Sequence, residues 1–159
     1  MYRIITGDDG ETMLLGEKLG LAVTFPCVII LTGDLGAGKT TFMRGVGRGM
    51  EVMEDISSPS FTILNVHRGR MEVYHFDFYR LTGPEELWDL DLDEYFFGEG
   101  VSLVEWGDKF PSLLPPVYLE VNLALVPGRF AQRVVTFIPQ GEYAQTLVRE
   151  LSNHAGFGD

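Results

Sequence analysis

Three shortages narrow what this sequence can be. It carries one cysteine, Cys27, so no internal disulfide can form; set within an apolar run, that thiol reads as a small core residue rather than a nucleophile and fits a reducing cytoplasm. No apolar stretch approaches the length of a bilayer span, and Met1 to Asp9 lacks the sustained apolar core of a secretory signal. Neither export nor membrane insertion is expected. Cations are scarce: twelve Lys and Arg face twenty-three Asp and Glu, a net charge of -11. The long-range field therefore repels nucleic acid and argues against direct, independent binding of RNA or DNA. The acid is unevenly spread, since Glu85, Glu86, Asp89, Asp91, Asp93, Glu94 and Glu99 follow one another with no Lys or Arg between them. That run is either a solvated face or a docking surface for a basic partner.

Against these shortages stands an abundance of glycine at one place. Gly33-Asp34-Leu35-Gly36-Ala37-Gly38-Lys39-Thr40 matches the phosphate-binding pattern G-x-x-x-x-G-K-[ST] at every fixed position. The β-branched run Cys27 to Thr32 precedes it as a buried strand, and Thr40 to Arg44 can open a helix after it. Glycines there let backbone N–H groups turn inward as an anion nest, and the helix start adds positive dipole. Lys39 can reach β- and γ-phosphates, and the Thr40 hydroxyl can ligate magnesium. At 159 residues the chain suits one α/β domain, a P-loop NTPase-like fold with a central mixed sheet flanked by helices. Its expected extent is residues 1–151, with 152–159 as a flexible tail.

Along the chain, Tyr2 to Ile5 is a short strand and Glu11 to Leu19, with Leu15 and Leu19 on one face, a helix. The helix after the glycine loop is expected to fade near Gly45, Gly47 and Gly49, because glycine weakens helix propensity. Ser57 to Ser60 is a hydroxyl-rich loop before the strand Phe61 to His67; Arg68-Gly69-Arg70 then turns into the strand Met71 to Tyr79, forming a hairpin. By the two-residue period Val73, His75 and Asp77 share one face of that strand. Asp77 is the anomaly, since a carboxylate among aromatics needs a cation, a metal or several hydrogen bonds. Next to a nucleotide-magnesium site a catalytic or metal-linked role is favoured over a structural pair with Arg80. His75 reads as a hydrogen-bonded packing residue. Thr82 to Leu87 has helix-start features, and one or two short acidic helices follow to Phe97. Val101 to Glu105 is an apolar strand ending in a carboxylate, the form taken by a magnesium-holding strand end, so Glu105 is the second metal candidate. Trp106 suits stacking on a partner, gating or core packing equally. Val117 to Leu125 and Arg133 to Ile138 are expected to pair antiparallel, and Gly141 to Leu151 forms a closing helix.

Taken together, G-D-L-G-A-G-K-T-T at Gly33 to Thr41, S-P-S-F-T at Ser58 to Thr62, H-F-D-F-Y-R-L at His75 to Leu81 and Val104-Glu105-Trp106 resemble one family, the TsaE (YjeE) ATPases. The leading Glu11-Thr12…Leu15-Gly16 segment is similar as well. The resemblance implies an ATPase of bacterial tRNA threonylcarbamoyladenosine synthesis that acts on a TsaB–TsaD pair and meets tRNA only through that complex. It implies ATP binding by Asp34, Leu35, Gly36, Ala37, Gly38, Lys39, Thr40 and Thr41, magnesium at Thr40 and Glu105, and activity dependent on Lys39, Asp77, Glu105 and Trp106. Asp9 and Arg133 are carried over as residues near the nucleotide. Ser60 stands where the family usually has Thr, and Thr24 to Cys27 replaces a glycine-containing entry to the strand. The alternatives are a small-molecule kinase, against which the shortage of arginines counts, and an interaction subunit that binds ATP and scarcely hydrolyses it. A GTPase is disfavoured because no Asn-Lys-x-Asp segment occurs.

Overall fold

A computed structural model describes residues 1–56 and 63–154. Among these the chain runs β1 (Tyr2–Thr6), α1 (Asp9–Ala22), β2 (Cys27–Thr32), α2 (Lys39–Gly49), β3 (Leu64–Arg68), β4 (Glu72–Asp77), α3 (Leu92–Phe96), β5 (Val101–Glu105), β6 (Tyr118–Val126), β7 (Arg129–Gln140) and α4 (Glu142–His154). Single 3-10 turns lie at Pro84–Leu87, Gly107–Lys109 and Pro111–Leu113. The strands form one sheet in the order β1-β7-β6-β2-β5-β4-β3. Its centre is parallel, with β2 between β5 and β6, while β3–β4, β6–β7 and β1–β7 pair antiparallel. This is the expected mixed sheet, and both expected antiparallel pairs are present.

β2 is buried along its whole length because both sheet faces are covered. Ile29 and Leu31 point into a core filled by Leu15 and Leu19 of α1, Phe42 and Val46 of α2, and Leu147 and Leu151 of α4. Val28 and Ile30, on the opposite face by the two-residue period, meet Phe76, Phe78, Leu87 and Phe96. Cys27 lies in the first of these cores, and burial pushes its thiol up to about 12, as suits a packing residue. No helix among the described residues is long and apolar enough to cross a membrane.

α2 runs through Gly45 and Gly47 and ends at Gly49, the far end of the stretch where it is expected to fade. The reason is tertiary. α1 and α2 cross so closely that a Cβ at Gly16 would lie 2.1 Å from the Phe42 carbonyl oxygen, at Gly20 2.3 Å from that of Val46, at Gly45 2.0 Å from that of Met13 and at Gly49 2.1 Å from that of Glu17. Two glycines four residues apart on each helix therefore form a seam of backbone against backbone, and packing across it overrides the local propensity. The helices are also joined at their ends. The Arg70 guanidinium donates to the carbonyls of Gly20 (2.6 Å) and Val23 (3.0 Å) at the end of α1 and of Gly49 (3.1 Å) at the end of α2, where helix carbonyls run out of i+4 partners.

Other boundaries shift modestly. α1 starts at Asp9 because Asp8 caps it, its carboxylate accepting from the Glu11 N–H at 2.8 Å. The acidic stretch yields one 3-10 turn and the five-residue α3. β7 begins at Arg129, four residues ahead of the expected strand, as its hairpin with β6 extends the ladder. α4 continues past Leu151 to His154, which moves residues 152–154 from the expected tail into the helix. Residues 57–62, including the Ser58 to Thr62 motif, lie outside the described residues.

Candidate functional site

The glycine loop joins the C-terminal edge of β2 to the first turn of α2, and positive φ angles at Gly33 (134°), Gly36 (77°) and Gly38 (100°) shape it. At Gly33 the need is also steric, because a Cβ would lie 2.3 Å from the Leu123 carbonyl oxygen of the neighbouring strand. α2 has no side-chain cap, its N-cap being Gly38, so its first amides face the loop rather than a neighbouring hydroxyl or carboxylate. Arg133, on β7, braces the loop from behind. Its guanidinium donates to the carbonyls of Ala37 (3.0 Å) and Gly36 (3.4 Å), and also to those of Phe130 and Gln132 on its own strand.

Lys39 is buried and bent back on its own loop, its Nζ donating to the carbonyls of Gly33 and Asp34. The ammonium also sits 4.0 Å from the centre of a Trp106 ring, within cation–π range. Burial lowers its pKa, and the charges of Glu105, Asp108, Asp34 and Asp77 oppose that shift. Trp106 follows β5 directly and adopts φ 60°, ψ 30°. A non-glycine residue in this left-handed region carries about 1–2 kcal/mol of strain. In this conformation the indole lies over Lys39 and against Tyr79, at 5.0 Å between ring centres.

Two carboxylates close the site. Parallel pairing of β4 with β5 puts Asp77 opposite Glu105 at the same edge of the sheet as the loop. Glu105 is almost wholly buried, and its Oε2 lies 3.0 Å from His75 Nε2. Asp77 is half-buried and its Oδ1 accepts from the Tyr79 N–H at 2.9 Å. Desolvation raises the Asp77 pKa, with Glu105 adding to the rise and the Tyr79 hydrogen bond opposing it.

These groups converge on a cavity of about 540 Å³. Of the residues singled out from sequence, Leu35 to Thr41, Asp9, Asp77, Glu105, Trp106 and Arg133 line it. Asp34 is set back, contributing the backbone carbonyl that holds Lys39. Tyr79 and Arg80 also line the cavity. No group of three or more His, Cys, Asp or Glu side chains able to hold a metal occurs among the described residues. Oxygen donors at Thr40 and Glu105 nonetheless suit magnesium, which is commonly held by one or two protein oxygens together with phosphates and water.

Residues 6–133 match the protein family described as Threonylcarbamoyl adenosine biosynthesis protein TsaE. The chain belongs to the TsaE family. It is 41% identical over 128 residues to the tRNA threonylcarbamoyladenosine biosynthesis protein TsaE of Bacillus subtilis, covering 80% of this chain and 78% of that protein. The TsaE of Haemophilus influenzae is 34% identical over 153 residues, covering 92% and 94%. The crystal structure of Bacillus subtilis YdiB superposes with a TM-score of 0.79 at 36% identity, covering 98% of this chain and 96% of that one.

Two features of this TsaE chain escaped the reading of its sequence. His75, taken for a packing residue, is packed and hydrogen-bonded, but its partner is the site carboxylate Glu105. β4 ends at Asp77, two residues short of the expected strand, so Tyr79 and Arg80 reach the cavity from the turn after it. The H-F-D-F-Y-R run itself was the available signal: polar side chains at alternate positions of a buried strand beside the glycine loop.

Proposed function

We propose that this TsaE-family chain binds ATP with magnesium in the glycine-loop cavity and hydrolyses it in support of tRNA threonylcarbamoyladenosine synthesis by a TsaB–TsaD pair. The observation that carries the reading is the convergence, on one cavity, of loop amides, a buried lysine and two facing carboxylates. The loop amides and the start of α2 would cradle the phosphates, and Lys39 would exchange its carbonyl partners for phosphate oxygens. Thr40 and Glu105 would hold magnesium, whose charge offsets that of the triphosphate. Asp77, with its raised proton affinity, is suited to orient a water and accept its proton. The indole of Trp106 walls the cavity beside Lys39. The acidic net charge supports recruitment to tRNA through protein partners.

The test is ATP hydrolysis by the isolated chain, with and without the TsaB–TsaD pair, alongside Lys39→Ala. Slow basal turnover, stimulation by the pair and near-complete loss in the variant are expected. Turnover unchanged in Lys39→Ala would remove the loop from the mechanism. Transfer of the γ-phosphate to a small acceptor, with no response to the pair, would favour a kinase.

A further inference from the structure

His75 is fully buried in the middle of β4, on the sheet face that carries Val73, Val101 and Leu103. An imidazole in such surroundings is disfavoured against an aliphatic side chain unless its polar atoms are used. One of them is. Nε2 lies 3.0 Å from Oε2 of Glu105, and since a carboxylate only accepts, Nε2 carries the hydrogen. In a neutral ring Nδ1 is then the lone-pair nitrogen, and it is buried with no hydrogen-bond partner among the described residues. A ring retained for packing alone would leave both nitrogens to be explained; a ring retained to grip Glu105 leaves only the second.

We infer that His75 is a positioning residue for Glu105. The inference rests on the reading of Glu105 as a magnesium ligand. The last torsion of a glutamate is broad and roughly two-fold, so burial of Glu105 alone does not select the plane of its carboxylate. A hydrogen bond from a ring locked in the core pins one oxygen and with it the plane of the carboxylate. Asp77, two residues on along β4 and paired with Glu105, is delivered to the site by the same strand. β4 thus supplies both a site carboxylate and the group that aims its neighbour. Partners of metal-bound ligands acting in this way commonly change metal affinity by about 10–100-fold when removed.

The experiment measures the magnesium dependence of binding of a fluorescent N-methylanthraniloyl ATP to the full chain. Thermal melting of each variant without nucleotide is recorded beside it. His75→Leu removes the donor, whereas His75→Gln places an amide N–H at a reach similar to that of Nε2. His75→Leu is expected to raise the magnesium concentration for half-maximal binding about tenfold, with His75→Gln staying within about threefold of wild type. A wild-type magnesium dependence in His75→Leu, or an equal shift in both variants, overturns the inference. Glu105→Gln separates this from failure of the site reading: if it leaves the dependence unchanged, Glu105 is not the ligand. If Glu105→Gln shifts the dependence and His75→Leu does not, only the role of His75 falls. Should His75→Leu not fold, long-range ¹H–¹⁵N spectra of the wild-type ring decide. An Nε2–H signal shifted by Glu105→Leu, which removes the acceptor, supports the inference; an Nδ1–H tautomer, or an Nε2–H signal that Glu105→Leu leaves in place, overturns it.

Discussion

Adding one methyl group at Gly45 tests whether the α1–α2 seam is as tight as its geometry. An alanine Cβ there would lie 2.0 Å from the Met13 carbonyl oxygen and 2.9 Å from the Glu17 nitrogen, both backbone atoms of α1. Ordinary contact begins near 3.4 Å, so the helices must part locally by about 1.4 Å, the difference from 2.0 Å. Neither obstacle can swing aside as a side chain would. A radial gap of about 0.5–1 Å already forfeits a quarter to a half of a dispersion contact, and parting the seam opens such gaps at Gly16, Gly20 and Gly49 together. Overpacking typically costs about 1–3 kcal/mol, here toward the upper end, while replacing a mid-helix glycine by alanine returns about 1 kcal/mol. The net expectation for Gly45→Ala is a loss of about 2 kcal/mol, lowering the urea midpoint by about 1 M for a denaturant slope of about 2 kcal/mol per molar. ATP affinity should fall as well, since α2 carries Lys39 and Thr40 at its first turn. Gly10→Ala is the control: the nearest atom is an Asp8 carboxylate oxygen at 3.3 Å, and the midpoint should hold or rise. A midpoint for Gly45→Ala at or above wild type would refute the reasoning, because helix propensity would then have outweighed the seam.

Two further outcomes follow from charged groups. Burial raises the Asp77 pKa, so the native state binds this proton more readily than the unfolded chain. The desolvation penalty is therefore fully present above the raised folded value and is relieved as pH falls through it toward the unfolded one. Asp77→Asn, which keeps an oxygen for the Tyr79 N–H, should melt higher than wild type at neutral pH while losing ATP turnover, and the gap in melting temperature should narrow at pH 4. A lower melting point for the variant at neutral pH would count against the burial argument. Arg70→Met removes the cation and the donors shared by the C-terminal ends of α1 and α2. A loss of about 1 kcal/mol in urea unfolding is expected, the side chain being solvent-accessible. An unchanged midpoint would show that water replaces those bonds.

Local spacing made part of this molecule legible. That the glycine loop, Lys39, Thr40 and the strand-end carboxylates Asp77 and Glu105 meet at one cavity was readable, because each lies in a short pattern at the end of a strand or the start of a helix. The β3–β4 hairpin was readable because its turn is short. What local pattern could not express was contact between distant segments. Gly45 and Gly49 look like helix breakers until α1 is laid across them. Arg70 looks like a turn residue until two helix ends arrive beside it. His75 looks like packing because its partner sits on another strand, 30 residues away. Arg133 was drawn toward the nucleotide by resemblance alone; nothing near it in sequence reveals that it grips Gly36 and Ala37.

That grip has a consequence for the order in which the molecule becomes competent. The bond from Arg133 to Ala37 spans 96 residues, and the strand that carries Arg133 also pairs with β1. Closing so long a loop is entropically demanding and slow relative to local structure such as the α1–α2 pair. A nascent chain would then have its glycine motif synthesised, and its first helices packed, well before the brace exists. Capacity to hold a nucleotide should appear only when β7 docks, late in synthesis, and should be lost early whenever that strand peels away. The same connection links the middle of β7 to the shape of the loop: a substitution that loosens the strand would release Gly36 and Ala37 without touching any residue of the loop.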